Sequence, residues 1–590
     1  MRTARAAVTC AVVLVVGVLL VSGGDDSGPR TPPALPGLPP PFLGTAVSGD
    51  GGLTAALDAY GDVVDLRGGP AGAALIDNPS DRQAAGTVPE DTGIVPRVDG
   101  RAMWEADAVT QRYLPGTNVV RTVARFGAAR VAMTVAAAGD ALAVTIRTRG
   151  GGADREATPS LGVNVASGVR CARERRAAQL DLFCGPGRVV PPVPAAAARD
   201  DGGSRSRRQV RPGAPTVSQE AAGLIAGARD EARRWVGRSH PLGVGAPAWA
   251  QAMYERSLLT VHALTSRATG AVAAGARDGW AYVWPRDAAT AALALEASGH
   301  HGEARRVTRF LTGLDLAAAA RFTESGAPVP GRAAQGDALG WVTAAARATR
   351  VPAPQGPFPW RDRADYQEST PGTYLGNALA AAGSGVDGPK TGHIDRFSAH
   401  QRRAAAESRR IAHEFGTPAG LVRRAGDPNS GLDSAAGWAV RPFRLAPLYP
   451  AAERTLLQLL KQGTPYGITP GEGWTGGPDP WTAPTAWSAW ALAALSRTDG
   501  RGPRTNLPAV REGGVPSRRS PSSRSLRHAS ISHASLRHAA LELLADLRRA
   551  ATPAGDLPER VGVHTGIPTS TTPLLWSSAF TVLALRELWP

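Results

Sequence analysis

The hydrophobic pattern of the chain divides it into two parts with different periods. From about residue 45 to residue 148, short β-rich stretches alternate with Gly, Pro and Asp, and four of them cover residues 61–66, 119–124, 129–135 and 141–147. Short strands at this spacing predict an antiparallel sandwich. The pattern continues weakly to about residue 190 and then ends in a Pro-, Arg-, Ser- and Gly-rich segment, which predicts a loop or an insertion.

After Ser218 the apolar residues recur at intervals of three and four positions, the period of a helix with one buried face. The connections between the helices alternate between short and long, and the long ones carry Trp, Arg, Asp and Gly. This alternation predicts helical hairpins in a ring, with one set of loops forming a pocket. The twelve predicted helices cover residues 219–236, 248–266, 286–298, 302–313, 337–349, 373–382, 394–415, 430–446, 451–462, 483–496, 533–550 and 572–588.

A length of 590 residues allows two or three hydrophobic cores. Arg2 and Arg5 precede an uncharged, mostly apolar run over residues 6–21, which predicts export with either a cleaved signal peptide or a retained membrane anchor. Seven prolines between Ser27 and Phe42 predict an extended stalk. We divide the chain into a leader (1–26), a Pro-rich linker (27–42), a β-sandwich domain (43–215) and a helical domain (216–590) with a low-complexity insertion (501–532).

The formal net charge of +16 is concentrated in two segments that we expect to be loops. Residues 501–540 hold eight Arg and one Glu, and residues 199–211 hold five Arg and two Asp, so these segments supply +10 of the total. Because the excess lies in loops rather than on one face of a domain, we expect no nucleic-acid partner. A surface protein held to anionic envelope polymers by residues 501–540 is an alternative, and its attachment weakens steeply with salt.

Outside the leader, which contains Cys10, the cysteines are Cys171 and Cys184. In an exported protein they form one disulfide that closes a short loop, or they remain two separate buried thiols. Two thiols alone make no metal site, and we expect no metal.

The densest group of chemically useful residues is Arg277-Asp-Gly-Trp-Ala-Tyr-Val-Trp-Pro-Arg-Asp-Ala288. Aromatic rings offer flat faces to the C–H surface of a sugar, and charged side chains offer paired hydrogen bonds to neighbouring hydroxyls. The alternative is structural, with an Asp that caps the helix starting at Pro285 and with Trp280 and Trp284 in the core.

Two further acidic groups lie in long loops. Asp365-Tyr-Gln-Glu368 follows a Pro-Trp pair and precedes a Pro-Gly pair. Glu559 lies in Gly555-Asp-Leu-Pro-Glu-Arg560, ahead of the Pro573-Leu-Leu-Trp-Ser577 sequence that opens the last helix. A single loop glutamate is usually solvated, but this set occurs together with the aromatic cluster.

These motifs, taken in order along about 340 residues, resemble glycoside hydrolase family 15, which contains glucoamylases, glucodextranases and bacterial trehalases. The resemblance rests on Tyr282–Asp287, Asp365–Glu368, the loop Trp474-Thr-Gly-Gly-Pro-Asp-Pro-Trp481, Leu557-Pro-Glu559 and Pro573–Ser577. It implies an N-terminal antiparallel β-supersandwich followed by an all-α (α/α)6 barrel that carries the catalytic site.

The resemblance also implies a role for each matching residue. Glu368 is the expected general acid, with a raised pKa, and Glu559 is the expected base, which must be ionised to activate water on the opposite face of the sugar. Inversion requires roughly 6.5–9.5 Å between the two carboxyl groups. The residues expected to bind the terminal glucose and to wall its pocket are Trp280, Tyr282, Trp284, Arg286, Asp287, Trp481 and Trp576.

The sequence departs from the family at two places. Gln367 stands directly before the expected acid, where family members commonly have Trp, so a stacking wall is lost. The stretch Tyr466-Gly-Ile-Thr-Pro470 lacks an Arg that the family often places there, so one substrate contact is missing.

We therefore expect an exported, exo-acting, inverting hydrolase of terminal α-glucosidic bonds that needs no metal or organic cofactor. Maltooligosaccharides, dextran-type α-1,6 glucans and trehalose all present a terminal α-glucose, so the sequence leaves the linkage open. The alternative is a catalytically impaired carbohydrate-binding protein on the same scaffold, which keeps the aromatic pocket without a working carboxylate pair.

Overall fold

The computed structural model has a β-rich N-terminal part and a helical C-terminal part. The leader, residues 199–211, residues 501–531 and Glu368 lie outside the described residues. Among the residues that are described, no helix is both long enough and apolar enough to cross a membrane. The described residues are 34–76, 93–152, 155–166, 168–186, 215–277, 279–354, 359–367, 370–385, 394–498 and 532–590.

The N-terminal part contains two antiparallel six-stranded sheets, as the sequence predicts. The strands are β1 (Gly44–Gly49), β2 (Thr54–Asp58), β3 (Val63–Arg67), β4 (Gly93–Val98), β5 (Arg101–Ala102), β6 (Ala108–Tyr113), β7 (Val120–Phe126), β8 (Ala129–Ala138), β9 (Ala141–Arg149), β10 (Gly151–Gly152), β11 (Arg155–Glu156), β12 (Pro159–Asn164), β13 (Val169–Arg176) and β14 (Gln179–Pro186). One sheet has the order β1-β2-β3-β4-β12, with β5 beside β4, and the other has the order β13-β14-β9-β8-β7-β6. β10 and β11 pair with each other.

The two sheets pack face to face. β1 and β2 of the first sheet contact β8 of the second, and Leu57, Met133 and Ile146 are fully buried. Along β7, buried positions alternate with more exposed ones, because successive side chains of a strand point to opposite faces. The alternation visible in the sequence is therefore the alternation between the core and the outer face of a sheet.

The end of the predicted Pro-rich linker lies against the sandwich. Phe42 is buried, and its ring centroid is 5.2 Å from that of Trp104. Leu35 and Leu38 also pack against the core, and the Tyr60 hydroxyl donates to the carbonyl of Pro39 at 3.2 Å. The prediction of a free stalk does not hold for residues 34–42, because their large apolar side chains find partners in the sandwich.

Cys171 and Cys184 are joined by a disulfide between β13 and β14. The two residues are direct cross-strand partners, with Cα atoms 4.1 Å apart. Of the two alternatives left open by the sequence, the structure has the disulfide.

Eleven α-helices follow in the described C-terminal residues. They are α1 (Val217–Val236), α2 (Ala248–Ala263), α3 (Pro285–Ala297), α4 (His301–Thr312), α5 (Ala338–Thr349), α6 (Leu375–Ser384), α7 (Ile394–Phe415), α8 (Tyr449–Lys461), α9 (Thr482–Leu495), α10 (His533–Ala550) and α11 (Leu575–Leu588).

One predicted helix is wrong. Residues 430–446 contain the end of a strand, β16 (Asp427–Leu432), which pairs with β15 (Val422–Arg424), and a short 3-10 helix at Ser434–Ala439. Asp433 ends the strand and caps the 3-10 helix by accepting from the N–H of Ala435 at 2.8 Å. Its side chain competes with helical hydrogen bonding, which the apolar spacing alone does not reveal.

The helices pack around one another in a defined sequence of neighbours. α11 contacts α3, α3 contacts α5, α5 contacts α6, α6 contacts the 3-10 helix at Ser434–Ala439, and that helix contacts α9, which returns to α11. α1 lies on β9 and β14 and connects the sheets to the helical part. The N-terminal ends of α3, α9 and α11 hold most of the residues that the sequence assigned to a site.

Candidate active site

Glu559, the residue expected to be the base, lies in the loop between α10 and α11. Its N–H donates to the carbonyl of Thr571 at 2.9 Å, and its carbonyl accepts from the N–H of Thr482 at 3.1 Å. The residue is only 8% exposed. Its Oε2 accepts a hydrogen bond from the Ser570 hydroxyl, and its Oε1 lies 3.4 Å from Trp280 Nε1. Two neutral donors thus orient a buried carboxylate.

The protonation of Glu559 depends on opposing influences. Burial raises the pKa of this carboxyl above its ordinary value, because desolvation disfavours the charged form. The hydrogen bond from Ser570, the positive charge of Arg560 and the N–H of Trp280 lower the pKa. A general base acts in its ionised form, so these three neighbours favour the state that the expected role requires.

Arg286 and Asp287, at the start of α3, form a buried charged network with a third residue. Arg286 Nη1 donates to Asp337 Oδ2 at 2.9 Å, and Nη2 lies 3.5 Å from Asp287 Oδ2. The guanidinium also lies over the ring of Trp576, 4.4 Å from its centroid. The ion pairs fix the orientation of the Arg286 guanidinium. Its N–H groups are therefore already oriented for hydroxyl groups of a ligand.

Asp287 is poised to change its protonation state near pH 6. Burial raises its pKa to about 6, the neighbouring charge of Arg286 opposes this shift, and the charges of Asp337 and Glu559 add to it. Asp287 and Asp337 both lie beside the Arg286 guanidinium, so the charge of Asp337 adds to the raised pKa of Asp287.

Gln335 joins the Arg286 network to the loop expected to carry the acid. Its Oε1 accepts from Arg286 Nη1 at 2.8 Å, and its Nε2 donates to the carbonyl of Asp365 at 2.6 Å. Sequence reasoning missed both Gln335 and Asp337. The sequence carries no local signal for either residue, because their partners are distant in the chain.

The residues of the expected acid loop that are described form a separate buried network. The Tyr366 hydroxyl donates to Asp433 Oδ1 at 2.7 Å, and Arg423 pairs with Asp365 at 3.2 Å. Gln367 Nε2 lies 2.6 Å from the Tyr366 hydroxyl and 3.2 Å from Asp433 Oδ2. The Gln367 amide is therefore engaged with Asp433 and provides no aromatic wall. Glu368 itself lies outside the described residues.

Of the predicted aromatic residues, Trp280 contacts Glu559 through its Nε1, and it packs with Trp284 in a small apolar cluster. Trp481 precedes α9, pairs with the strand-like backbone of Arg560, and contacts Trp474 edge-to-face at 5.1 Å. Tyr282 lies under the guanidinium of Arg321 at 4.8 Å. The structure thus places Trp280 at Glu559 and Trp481 at the neighbouring residue, Arg560.

Trp576 occupies a different position from these walls. It is 5% exposed and packs on Trp487, with ring centroids 4.8 Å apart, and on Phe580. Because its ring also covers the guanidinium of Arg286, it supports that residue from the core side. The expectation that Trp576 binds substrate stays a prediction, and the contacts described here are with Arg286 and the core.

Several buried polar atoms at the site have no hydrogen bond. Such atoms cost free energy unless a ligand or water satisfies them. Their donors are suited to hydroxyl groups. Within the described residues, the unsatisfied atoms at the site are Trp284 Nε1, Arg286 Nε, Trp474 Nε1, Trp481 Nε1, Arg560 Nε, Thr571 Oγ1 and Trp576 Nε1. The same part of the chain offers no group of His, Cys, Asp or Glu able to hold a metal ion.

The fold is similar to that of a bacterial glucoamylase solved in complex with acarbose. The two chains share 13% sequence identity, the alignment covers 96% of each, and the TM-score is 0.65. The chain therefore has a glucoamylase-like fold that includes both its sheets and its helices.

Two other structures match the chain over a smaller part of it. A wild-type glycosidase shares 18% identity over 58% of this chain and 99% of its own, with a TM-score of 0.43. The glucoamylase of Saccharomycopsis fibuligera shares 15% identity over 58% of this chain and 94% of its own, with a TM-score of 0.41. No protein-family model matches the sequence, and no curated protein matches it.

Proposed function

We propose that the protein is a glycoside hydrolase that releases glucose from terminal α-glucosidic bonds. The observation that carries the proposal is Glu559, a buried carboxylate held by Ser570 and Trp280. The Arg286–Asp287 pair beside it supplies charged groups for sugar hydroxyls. The glucoamylase of the same fold is described with acarbose bound, which supports a carbohydrate ligand for this pocket.

In the proposed mechanism Glu559 removes a proton from water as the water oxygen attacks the anomeric carbon. The bond from that carbon to the glycosidic oxygen breaks, and the leaving oxygen takes a proton from Glu368. Direct attack from the face opposite the leaving group inverts the anomeric centre. Ser570, Trp280 and Arg560 support the base by favouring its ionised form.

The proposal extends to architecture and location. We infer that the helices form an (α/α)6 barrel, and the closed sequence of neighbours from α11 through α3, α5, α6, the 3-10 helix and α9 supports this. We also propose that the protein is exported, because the leader has the charge and apolar pattern of a signal peptide or signal anchor.

A carbohydrate-binding protein without catalysis is the second candidate, and the engagement of Gln367 with Asp433 favours it, since the pocket lacks the wall the family provides. Variants separate the two functions. Glu559→Gln and Glu368→Gln are each expected to abolish glucose release from maltooligosaccharides, isomaltooligosaccharides or trehalose while sugar binding persists. If neither substitution changes any measurable activity, the hydrolase proposal fails.

A further inference from the structure

Two arginines at the site have no contact assigned to them in the chemistry proposed above, although the charge of Arg332 helps to lower the pKa of Glu559. The guanidinium of Arg332 lies 5.3 Å from the ring centroid of Trp284, and that of Arg321 lies 4.8 Å from Tyr282 and 6.0 Å from Trp284. Trp284 packs on Trp280, the residue next to Glu559 Oε1. Both cations therefore flank the aromatic wall of the candidate active site.

The hydrogen bonding of these two guanidiniums is incomplete. Arg321 Nη1 donates to the carbonyl of Gly279 at 3.2 Å, but its buried Nε has no hydrogen-bond partner in the described residues. Over the same ranges of the chain, Arg332 makes no hydrogen bond and no ion pair closer than 4.0 Å. The ring of Trp284 covers one face of the Arg332 guanidinium. The N–H groups in the plane of the guanidinium remain available to a ligand.

The charges named at the site are equal in number, with Arg286, Arg321 and Arg332 against Asp287, Asp337 and Glu559. Arg286 forms ion pairs with Asp337 and Asp287. Arg332, in contrast, has no carboxylate within ion-pair distance among the described residues, so its guanidinium is open to an anionic group of a ligand.

A cavity of about 450 Å³ opens beside Arg332. Its walls come from the loop between α4 and α5 and consist of small or apolar residues such as Ala319, Pro328 and Pro330. Arg332 is the one charged residue that lines it. The volume is large enough for a substituted sugar unit, and a single guanidinium gives it a preference for a planar or tetrahedral anion.

We propose that the substrate of this site is an acidic saccharide, whose carboxylate, phosphate or sulfate group binds Arg332 in this cavity. Arg321 adds to the positive potential there. The inference rests on the proposed function, since it names the class of substrate that the hydrolase accepts. It also assigns a role to two residues for which the sequence offered no motif.

The test compares neutral and acidic substrates on the full chain. Maltose is set against maltose with a 6-carboxylate, 6-phosphate or 6-sulfate on either sugar unit. Isomaltose is set against isomaltose with the same groups on its non-reducing unit, and kcat/KM is measured for each. We expect the protein to prefer at least one acidic disaccharide over its neutral counterpart. Comparison among the acidic disaccharides identifies which anionic group, on which sugar unit, gives the preference. In Arg332→Gln the ratio of acidic to neutral kcat/KM is expected to fall about tenfold or more, the size of one lost charged hydrogen bond.

Arg305→Gln is the matched control, because Arg305 is exposed on α4 and its loss changes the net charge equally. This variant is expected to keep the acidic preference. If neutral disaccharides are hydrolysed as well as every acidic form, and Arg332→Gln lowers all rates alike, the acidic-substrate proposal is overturned while the hydrolase proposal stands.

Calorimetric titration of the acidic and neutral disaccharides tests the anion site in the case that no substrate is hydrolysed. If nothing is hydrolysed, the proposed function fails, and tighter binding of an acidic form that is lost in Arg332→Gln still supports the anion site. Equal binding of acidic and neutral forms by the wild-type protein rejects it.

Discussion

The hydroxyl of Tyr113, at the end of β6 in the sandwich, lies 2.5 Å from Oδ2 of Asp556, three residues before Glu559 in the chain. Arg256 on α2 completes this contact: its Nε lies 3.4 Å from Asp556 Oδ1, and its guanidinium covers the Tyr113 ring at 3.7 Å. Thr260 donates to the same carboxylate at 3.2 Å. The sandwich therefore holds the loop that carries the expected base.

Removal of the Tyr113 hydroxyl is expected to impair catalysis through the position of Glu559. Tyr113→Phe leaves a buried carboxylate with one donor fewer, at a cost of about 1–3 kcal/mol in unfolding free energy. We expect kcat to fall more than KM rises, because the loop and not the sugar-binding groups is loosened. Urea unfolding and steady-state kinetics measure the two effects.

Tyr254→Phe is the control for this prediction. Its hydroxyl donates to the carbonyl of His240 at 2.8 Å, so the variant also loses a hydrogen bond of a largely buried Tyr. Both variants are expected to lose stability, but only Tyr113→Phe is expected to lose kcat. An equal loss of kcat in the two variants contradicts a positioning role for Tyr113.

Ser570 is expected to set the acidic limb of the pH profile. Glu559 must be ionised to act, so activity is lost as the pH falls through its pKa. The Ser570 hydroxyl stabilises the ionised form, and Ser570→Ala therefore raises that pKa further. We expect the acidic limb of kcat/KM to move upward by about one pH unit.

The control for Ser570→Ala is Thr569→Ala, at the neighbouring position in the same loop. This variant removes an exposed hydroxyl that donates to Asp479. It is expected to leave the limb in place. If the acidic limb of kcat/KM against pH also stays in place in Ser570→Ala, a group other than Glu559 governs the loss of activity in acid.

Asp337 is expected to be needed for both stability and sugar binding. Asp337→Asn removes the closest partner of the buried Arg286 charge, and breaking a buried pair in this way costs about 3–5 kcal/mol. We expect a lower midpoint of urea unfolding and a raised KM. Asp140→Asn, in an exposed turn of the sandwich, is the control and is expected to change neither. A stable Asp337→Asn with a normal KM argues against the network described here.

His300 is expected to weaken the fold in mild acid. Burial lowers its pKa from 6.5 to about 4, and its ring stacks on Trp235 with centroids 3.8 Å apart. Since the folded state binds the proton less readily than the unfolded state, the stability that His300 contributes is present above pH 6.5 and is lost as the pH falls toward 4. In His300→Gln the free energy of unfolding is expected to depend less steeply on pH between 4 and 6.5. An unchanged slope would show that other groups control the pH dependence of stability.

Much of the fold was predictable because local periodicity reports burial directly. The strands at 129–138 and 141–149 and helices such as α7 and α10 lie within a few residues of their predicted ranges. The helix predicted at 430–446 failed because Asp433 bonds the backbone and Asp427–Leu432 pairs with β15.

The candidate site could be proposed from the sequence only where a motif pointed to it. Motifs pointed to Glu559, Arg286 and Trp280, whose functional roles stay predictions. Gln335 and Asp337 were missed, because their partners are more than 25 residues distant in the chain and no local pattern reports such a contact. Arg332 was missed for the same reason, since only the folded loop between α4 and α5 places it on Trp284.

The central claim is that Glu559 activates water for inverting hydrolysis of an α-glucoside. Proton NMR of the protein incubated with maltotetraose, isomaltotriose, trehalose and the acidic disaccharides distinguishes the anomers as they form. The account predicts that the sugar unit attacked at its anomeric carbon first appears as the β-anomer from at least one substrate, and that Glu559→Gln releases none. Trehalose gives one α- and one β-glucose in this case, because only the attacked carbon is inverted. Release of the attacked unit as the α-anomer, so that trehalose gives α-glucose alone, or undiminished release by Glu559→Gln, contradicts the account.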